Sequence, residues 1–296
     1  MGSVSKMKAE KRKARTSELR RVLRVFFSRK IVIFGLIVIT ALVVFAVFAP
    51  AIAPYDPYEQ NLNEALQKPS PQHWLGTDSV GRDTLSRVIF GSRTSLMIGI
   101  VAVAIAAVIG MTLGLIGGFF GGYAYAFIMR FIDAMMCFPP ILMALLLSAL
   151  LGTGLKNVML AIGIALIPAY CRLMCAQVLT VRENDYIAAA RSIGSTDIRI
   201  MARHILPNCF PPLIVLITMN IGMAILSEAG LSFLGLGIEM PKAAWGGMVN
   251  DGYLYLRTDP ILSFAPGLAI MLVVFAFNMV GDGLRDALDP RLRGTV

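Results

Sequence analysis

The chain has 296 residues, 57% of them hydrophobic and 15% charged, with a mean hydropathy of +0.72. That is far more apolar than a soluble domain, and several apolar runs reach the ~20 residues needed to cross a bilayer. The runs are continuous, not alternating, which excludes a β-barrel and leaves an all-α polytopic membrane protein, because a lipid-buried backbone must satisfy itself within helices.

The net charge of +9 belongs wholly to residues 1–30, which hold eleven Lys and Arg against Glu10 and Glu18. By the positive-inside rule this tail is cytoplasmic. It lacks the aromatic or glycine-rich readout module of a nucleic-acid binder, so no nucleic-acid partner is expected. The apolar run that follows is too long for a cleaved leader. Residues 31–53 form the first span, closed by Pro50 and Pro54, and residues 54–92 an exterior segment. Its acids (Asp56, Glu59, Glu64, Asp78, Asp83) outnumber Lys68, Arg82 and Arg87, as suits the less basic side.

Residues 93–284 hold five further spans. The second, about 94–119, carries Gly110, Gly114 and Gly118 every four residues, with Gly117 alongside. Small residues at this spacing let helix backbones approach, either inside the bundle or against a second membrane subunit. The third, about 125–151, has Pro139 and Pro140 in its middle, which kink or break it. Arg130 and Asp133 sit i, i+3 and can pair there. After the exterior turn Gly152-Thr153-Gly154 comes the fourth span, about 158–178, with Arg172 near its inner end. The fifth runs about 210–234. An exterior segment follows, in which Trp245, Tyr253 and Tyr255 suit an interfacial belt. The sixth runs about 263–279, the chain is inside again from Asp282, and residues 285–296 are a cytoplasmic tail. Six spans put both termini in the cytoplasm. Cys137, Cys171, Cys175 and Cys209 all lie in or beside spans. Cys171 and Cys175 share a helix face, and with no His or carboxylate clustered beside them they read as small buried residues, not a metal or redox pair.

The polar stretch between the fourth and fifth spans, residues 185–208, reads as a cytoplasmic helix-turn-helix. Asp185 or Asn184 caps a first helix through Ala188, Ala189 and Ala190; Gly194 ends it in a left-handed turn. Ser195 caps a second helix with Asp197 in its first turn, and Pro207 closes the unit. Ile198, Met201 and Ile205 fall on one face and Arg199 and Arg203 on another. A polar unit of this kind between spans suits a docking surface.

This stretch resembles the EAA loop of binding-protein-dependent ABC importers: Glu-Ala-Ala, three residues, Gly, nine residues, then Ile-x-Leu-Pro. Ala189, Ala190, Gly194, Leu206 and Pro207 match; Ala188 stands at the motif glutamate and His204 at the first isoleucine. Three other segments resemble the dipeptide/oligopeptide/nickel group of these permeases, in particular its second ("C") subunit. They are His73-Trp74-Leu75-Gly76-Thr77-Asp78 with Gly81-Arg82-Asp83, Glu228 through Gly237, and Phe264 through Asn278 with Gly281 through Pro290. The resemblance covers nearly the whole chain after residue 20. It implies a type-1 transmembrane domain in a prokaryotic inner or plasma membrane, paired with a homologous permease in a heterodimer. It implies two ABC ATPase subunits, which use ATP and Mg, docked on the coupling loops, and an extracytoplasmic substrate-binding protein outside. Transport would be by alternating access. Peptides are the first substrate class implied, with nickel, opines and glutathione as alternatives.

Read from the residues, the exterior motif supplies turns and a cap, with Thr77 or Asp78 capping a helix before the second span. A metal role for His73, Asp78 and Asp83 is the alternative there, and no metal is expected. Glu228 and Asn220 are the polar residues most interior to the fifth span and candidates for the pathway. Glu228 could also serve a structural role, as Asn278 and Asp282 do. The chain carries no GxxxxGK[ST] loop, HExxH or GxSxG, so no catalytic residue and no bound cofactor are expected. An ion-gradient-driven secondary transporter is the rival class, without a chain of intramembrane acids or an internal repeat to support it.

Overall fold

The structure is a computed structural model, described here over residues 23–288. Among those residues it is almost entirely helical. The basic tail up to residue 22 and the last eight residues of the C-terminal tail lie outside the described range.

Helix α1 (Lys30–Ile52) has 23 residues, roughly 35 Å at 1.5 Å each, enough to cross a bilayer. It packs on the last helix through two glycines. A Cβ on Gly35 would lie 3.0 Å from the Ala276 carbonyl, and one on Gly283 2.6 Å from Val32. An ion pair, Arg29 Nη1 to Asp286 Oδ2 at 2.6 Å, ties the start of α1 to the end of that last helix.

Helix α2 (Thr84–Phe120) starts ten residues before the expected span, because Asp83 caps it: its Oδ2 accepts the Ser86 N–H at 2.7 Å. Thr77 and Asp78, the residues expected to cap, do other work described below. The glycine stripe of α2 packs inside this chain, against helix α5 (Leu155–Arg182). A Cβ on Gly110 would lie 2.6 Å from Tyr170 Cβ, one on Gly114 2.8 Å from Met174 Cβ, and one on Gly118 2.8 Å from Val178 Cβ. Cys171 and Cys175 sit in the same seam, buried as small residues. At the other end Gly163 meets the Ala102 carbonyl. Residue numbers therefore rise together along both helices, and α2 and α5 run parallel.

Two parallel neighbours need a connection that returns across the bundle. Helices α3 (Gly122–Met136) and α4 (Pro140–Leu151) provide it, bent by 86° at the break. Pro139 and Pro140 do more than kink this span; they divide it. Among the described residues five helices are long and apolar enough to cross alone, and the broken pair is long and apolar enough together to count as a sixth. The expected Arg130–Asp133 pair does not form. Asp133 instead bonds Arg172 of α5, Nη2 to Oδ1 at 2.5 Å.

After α5 come α6 (Asp185–Ser192) and α7 (Asp197–Ile200). A single wide turn, Met201–Ile205, then leads into α8 (Leu206–Phe233). Pro207 does not close this unit. It lies in the first turn of α8, and residues 197–233 run as one helix. Pro207 has no N–H to offer the Arg203 carbonyl, and the backbone widens there, with Leu206 N–H bonding Met201 O.

The segment that follows contains helix α9 (Trp245–Tyr253), and the last helix is α10 (Ile261–Leu288). Trp245 is buried, not interfacial. Its ring N–H donates to the Val88 carbonyl at 2.9 Å, and the ring fills the space beside Gly91. Helix α10 continues nine residues past the expected end of the sixth span, so Asp282 and Arg285 are helical.

The α2–α5 seam yields a direct prediction. Gly114→Leu forces a side chain into the Cys171 and Cys175 backbone and the Met174 Cβ and should lower the unfolding free energy by about 3 kcal/mol or more. Val108→Leu, on the exposed face of α2, should change it by less than about 0.5 kcal/mol. Thermal unfolding of the purified variants in detergent checks both.

Candidate functional site

The segment 185–208 is rooted in the core and exposed at its tip. Asn184 occupies the cap position of α6, but its side chain bonds back to the Val181 carbonyl at 2.8 Å; Asp185 lies in the first turn. Gly194, at φ +78°, ends α6 as expected from the sequence. Its N–H bonds the Arg191 carbonyl at 2.9 Å and the Ser195 N–H bonds Ala190 at 3.1 Å, the paired bonds of a Schellman cap. The cap position of α7 is Thr196, not Ser195.

Ile187, Ala190, Ile200 and Ile205 are buried in the main apolar cluster. Ile198, Met201 and Ile205 do not share a face, since the wide turn shifts the register: Ile200 and Ile205, five apart, point inward together and Ile198 points out. Exposed at the tip are Ala188, Ala189, Gly194, Arg199 and Arg203. The apolar pair Ile193 and Ile198 is exposed there too, at 83% and 76%. His204 and Leu206 are half-buried and Pro207 is exposed at the root. Asn208 holds the two arms together, donating to the His204 carbonyl at 2.6 Å and to the Tyr186 hydroxyl at 3.3 Å.

Two arginines anchor this unit to the end of α2. Arg182 Nη1 donates to the Gly118 carbonyl at 2.8 Å, and the Arg191 guanidinium lies 5.3 Å from the centre of the Phe119 ring. No spacing rule brings residues 64 apart together, so the sequence marks them only as basic.

The 73–83 motif, expected to lie outside, is a buried polar knot. His73 Nδ1 meets Asp83 Oδ1 at 2.9 Å, while Asp83 also caps α2. Asp78 Oδ2 accepts from Arg82 Nε at 2.6 Å and faces Arg87 Nε at 3.5 Å; its Oδ1 accepts the N–H groups of Val80 and Arg82. Thr77 donates to the Glu64 carbonyl and accepts from Gln67 N–H. Gly76 (φ +72°) and Gly81 (φ +78°) leave no room for a Cβ, against the Gln67 and Asn61 carbonyls respectively. Arg82 and Arg87 are buried in this knot. On its far side burial raises the Asp251 carboxyl above the ordinary carboxylate range, partly offset by Arg87 and Arg82.

Within the spans, Asn220 donates to the Tyr170 hydroxyl at 3.1 Å and so links α8 to α5. Glu228 is fully buried. One of its oxygens accepts from Ser232 at 2.7 Å and the other has no partner among the described residues. The Asp133–Arg172 pair, not foreseen as a pair, is half-exposed.

The family profile described as "Binding-protein-dependent transport system inner membrane component" matches residues 110–294. The chain belongs to this family. A second profile, described as the N-terminal TM domain of oligopeptide transport permease C, matches residues 17–69. Among similar proteins, the dipeptide transport system permease protein DppC of Alkalihalophilus pseudofirmus is 42% identical over 264 residues, 89% of this chain and 87% of that one. The glutathione transport system permease protein GsiD of Escherichia coli strain 536 is 46% identical over 257 residues, 86% of this chain and 84% of that one. The solved structure of the MetNI methionine ABC transporter in inward-facing conformations shares the fold. Its TM-score is 0.53 at 17% identity, covering 69% of this chain and 96% of that chain. The chain is thus a multi-pass inner-membrane permease of the ABC importer class, in the peptide/oligopeptide/nickel group, and a transport subunit, not an enzyme.

Asp83 makes a second prediction. Asp83→Ala removes the α2 cap and strands the buried His73 ring, which should cost about 2–4 kcal/mol. Exposed Glu59→Ala should cost less than about 0.5 kcal/mol. Unfolding midpoints of the purified chain decide between them.

Proposed function

We propose that this chain is one of two permease subunits of an ATP-driven importer of short peptides, and that residues 185–208 dock an ATPase subunit. Membership of a binding-protein-dependent transport family supports the class, and the dipeptide permease at 42% identity supports the cargo. One observation carries the docking. Ile193 and Ile198 are held out in water, whereas the other isoleucines of the unit, Ile187, Ile200 and Ile205, are sunk in the core. An apolar tip fixed in that way favours a partner that covers it. With Ala188 in place of a carboxylate, the contact rests on shape and on these two side chains.

In this reading the pathway lies between this chain and a homologous permease, and both termini are cytoplasmic. Two partner ATPases bind and split ATP with Mg, and this chain holds no cofactor. A substrate-binding protein delivers cargo to the outer face. Closure of the ATPases displaces the tip around Gly194. Arg182 and Arg191 pass the displacement to the end of α2, and α5 moves with it because the glycine seam makes the two helices one body. The break at Pro139–Pro140 is the joint that lets this body tilt. Coupling then requires that the tip meet the ATPase differently in the two states. A second reading, glutathione as cargo, is favoured by the permease of that name at 46% identity.

The test uses the complex reconstituted in vesicles. Ile193→Ser and Gly194→Val should each lower ATP-dependent dipeptide uptake at least about tenfold and weaken ATPase retention on the membrane. A Cβ at 194 meets nothing among the described residues but strains the φ +78° turn, whereas the serine at 193 adds no backbone strain, so a loss common to both reports the docking face. Wild-type uptake and retention in both variants would overturn the assignment.

A further inference from the structure

The break between α3 and α4 leaves a cavity of about 110 Å3, lined by Met135, Met136, Phe138, Met143, Leu166 and Pro168. It sits where two proline interruptions face each other, Pro139–Pro140 at the break and Pro168 inside α5. The wall is apolar, and three of its nine residues are methionines. Unbranched thioethers adapt to contents of different shape, as a site of broad selectivity needs.

The surroundings say what this cavity opens onto. Asp133 lies one turn before Met136, and Arg172 one turn after Pro168. They pair at 2.5 Å with about half of each side chain exposed. Charges part-way along spanning helices are costly against lipid and are found facing water-filled interiors. The face that carries the pair, and the cavity beside it, therefore fronts the pathway and not the acyl chains. Discontinuous helices are also where membrane transporters place substrate.

We propose that this cavity receives an apolar side chain of a short peptide in transit. The Asp133–Arg172 pair at its inner edge offers one charge of each sign to the peptide's termini. Ammonium and carboxylate are present on every short peptide, whereas the side chain varies, which matches a fixed ion pair beside an adaptable apolar pocket. The inference rests on the peptide reading given above and adds a site within the spans.

The experiment compares uptake of Leu-Leu and Gly-Gly by the complete transporter in vesicles, with one binding protein throughout. Ala169, exposed on the cavity wall, is replaced by leucine to narrow it, and Met143 by alanine to widen it. Relative to wild type, Ala169→Leu should lower the Leu-Leu to Gly-Gly ratio about tenfold, the discrimination a methylene or two commands in an apolar pocket. Met143→Ala, assayed with Phe-Phe beside Gly-Gly, should raise the Phe-Phe to Gly-Gly ratio. Unchanged ratios in both variants, with peptides still transported, would overturn the pocket alone. Absence of any peptide uptake by the wild-type complex would overturn the peptide reading and the pocket with it.

Discussion

Backbone contact between α2 and α5 is the constraint from which the other features follow. At Gly110, Gly114 and Gly118 no Cβ intervenes, and the helices close on the Tyr170–Val178 stretch of α5. In a bilayer, where lipid tails are as apolar as the helices themselves, such close packing supplies association that burial from water cannot. Because the seam holds two long helices parallel, the chain between them must cross back. It does so through a span broken at Pro139–Pro140, since α3 and α4 have only 15 and 12 residues. The same seam brings the end of α2 to the end of α5, where Arg182 reaches Gly118 and the 185–208 unit begins.

That unit has two sides with different chemistry. Its inner side is continuous with the main core through Ile187, Ala190, Ile200 and Ile205, so it moves with the bundle. Its outer side shows Ile193 and Ile198 around the left-handed Gly194. A rigid root with an apolar tip suits transmission of force between subunits, because a flexible loop would absorb the displacement. The polar knot is the counterpart at the other end of α2: His73, Asp78, Arg82 and Asp83 bond one another, fixing how the first helix joins the second.

Much of this was legible in the residues. Apolar length located the five long helices and the broken pair α3–α4, and Gly194 announced its turn because only glycine enters that conformation freely. The glycine stripe announced a close approach but not its partner, since a periodic pattern marks a face without naming what meets it. Of the features that escaped, three show the physical reasons plainly. Asp83 and not Thr77 or Asp78 caps α2, because Thr77 bonds the Glu64 carbonyl thirteen residues away and Asp78 is held between Arg82 and Arg87. Asp133 prefers Arg172, 39 residues away, to its helical neighbour Arg130. Pro207 permits the helix to continue because it sits in the first turn, after a widened turn that relieves its missing donor. Each turns on a tertiary contact or on register, which local spacing does not encode.

The central claim is that the Ile193–Gly194 tip lies against an ATPase subunit and moves with its nucleotide cycle. Ile193→Cys, in a chain whose native cysteines are replaced, can be cross-linked to the ATPase subunits in membranes with and without ATP. The account predicts a specific cross-linked product whose yield changes several-fold between the two nucleotide conditions. A tip that stays freely accessible to a small water-soluble thiol reagent, with no cross-link in either condition, would contradict it.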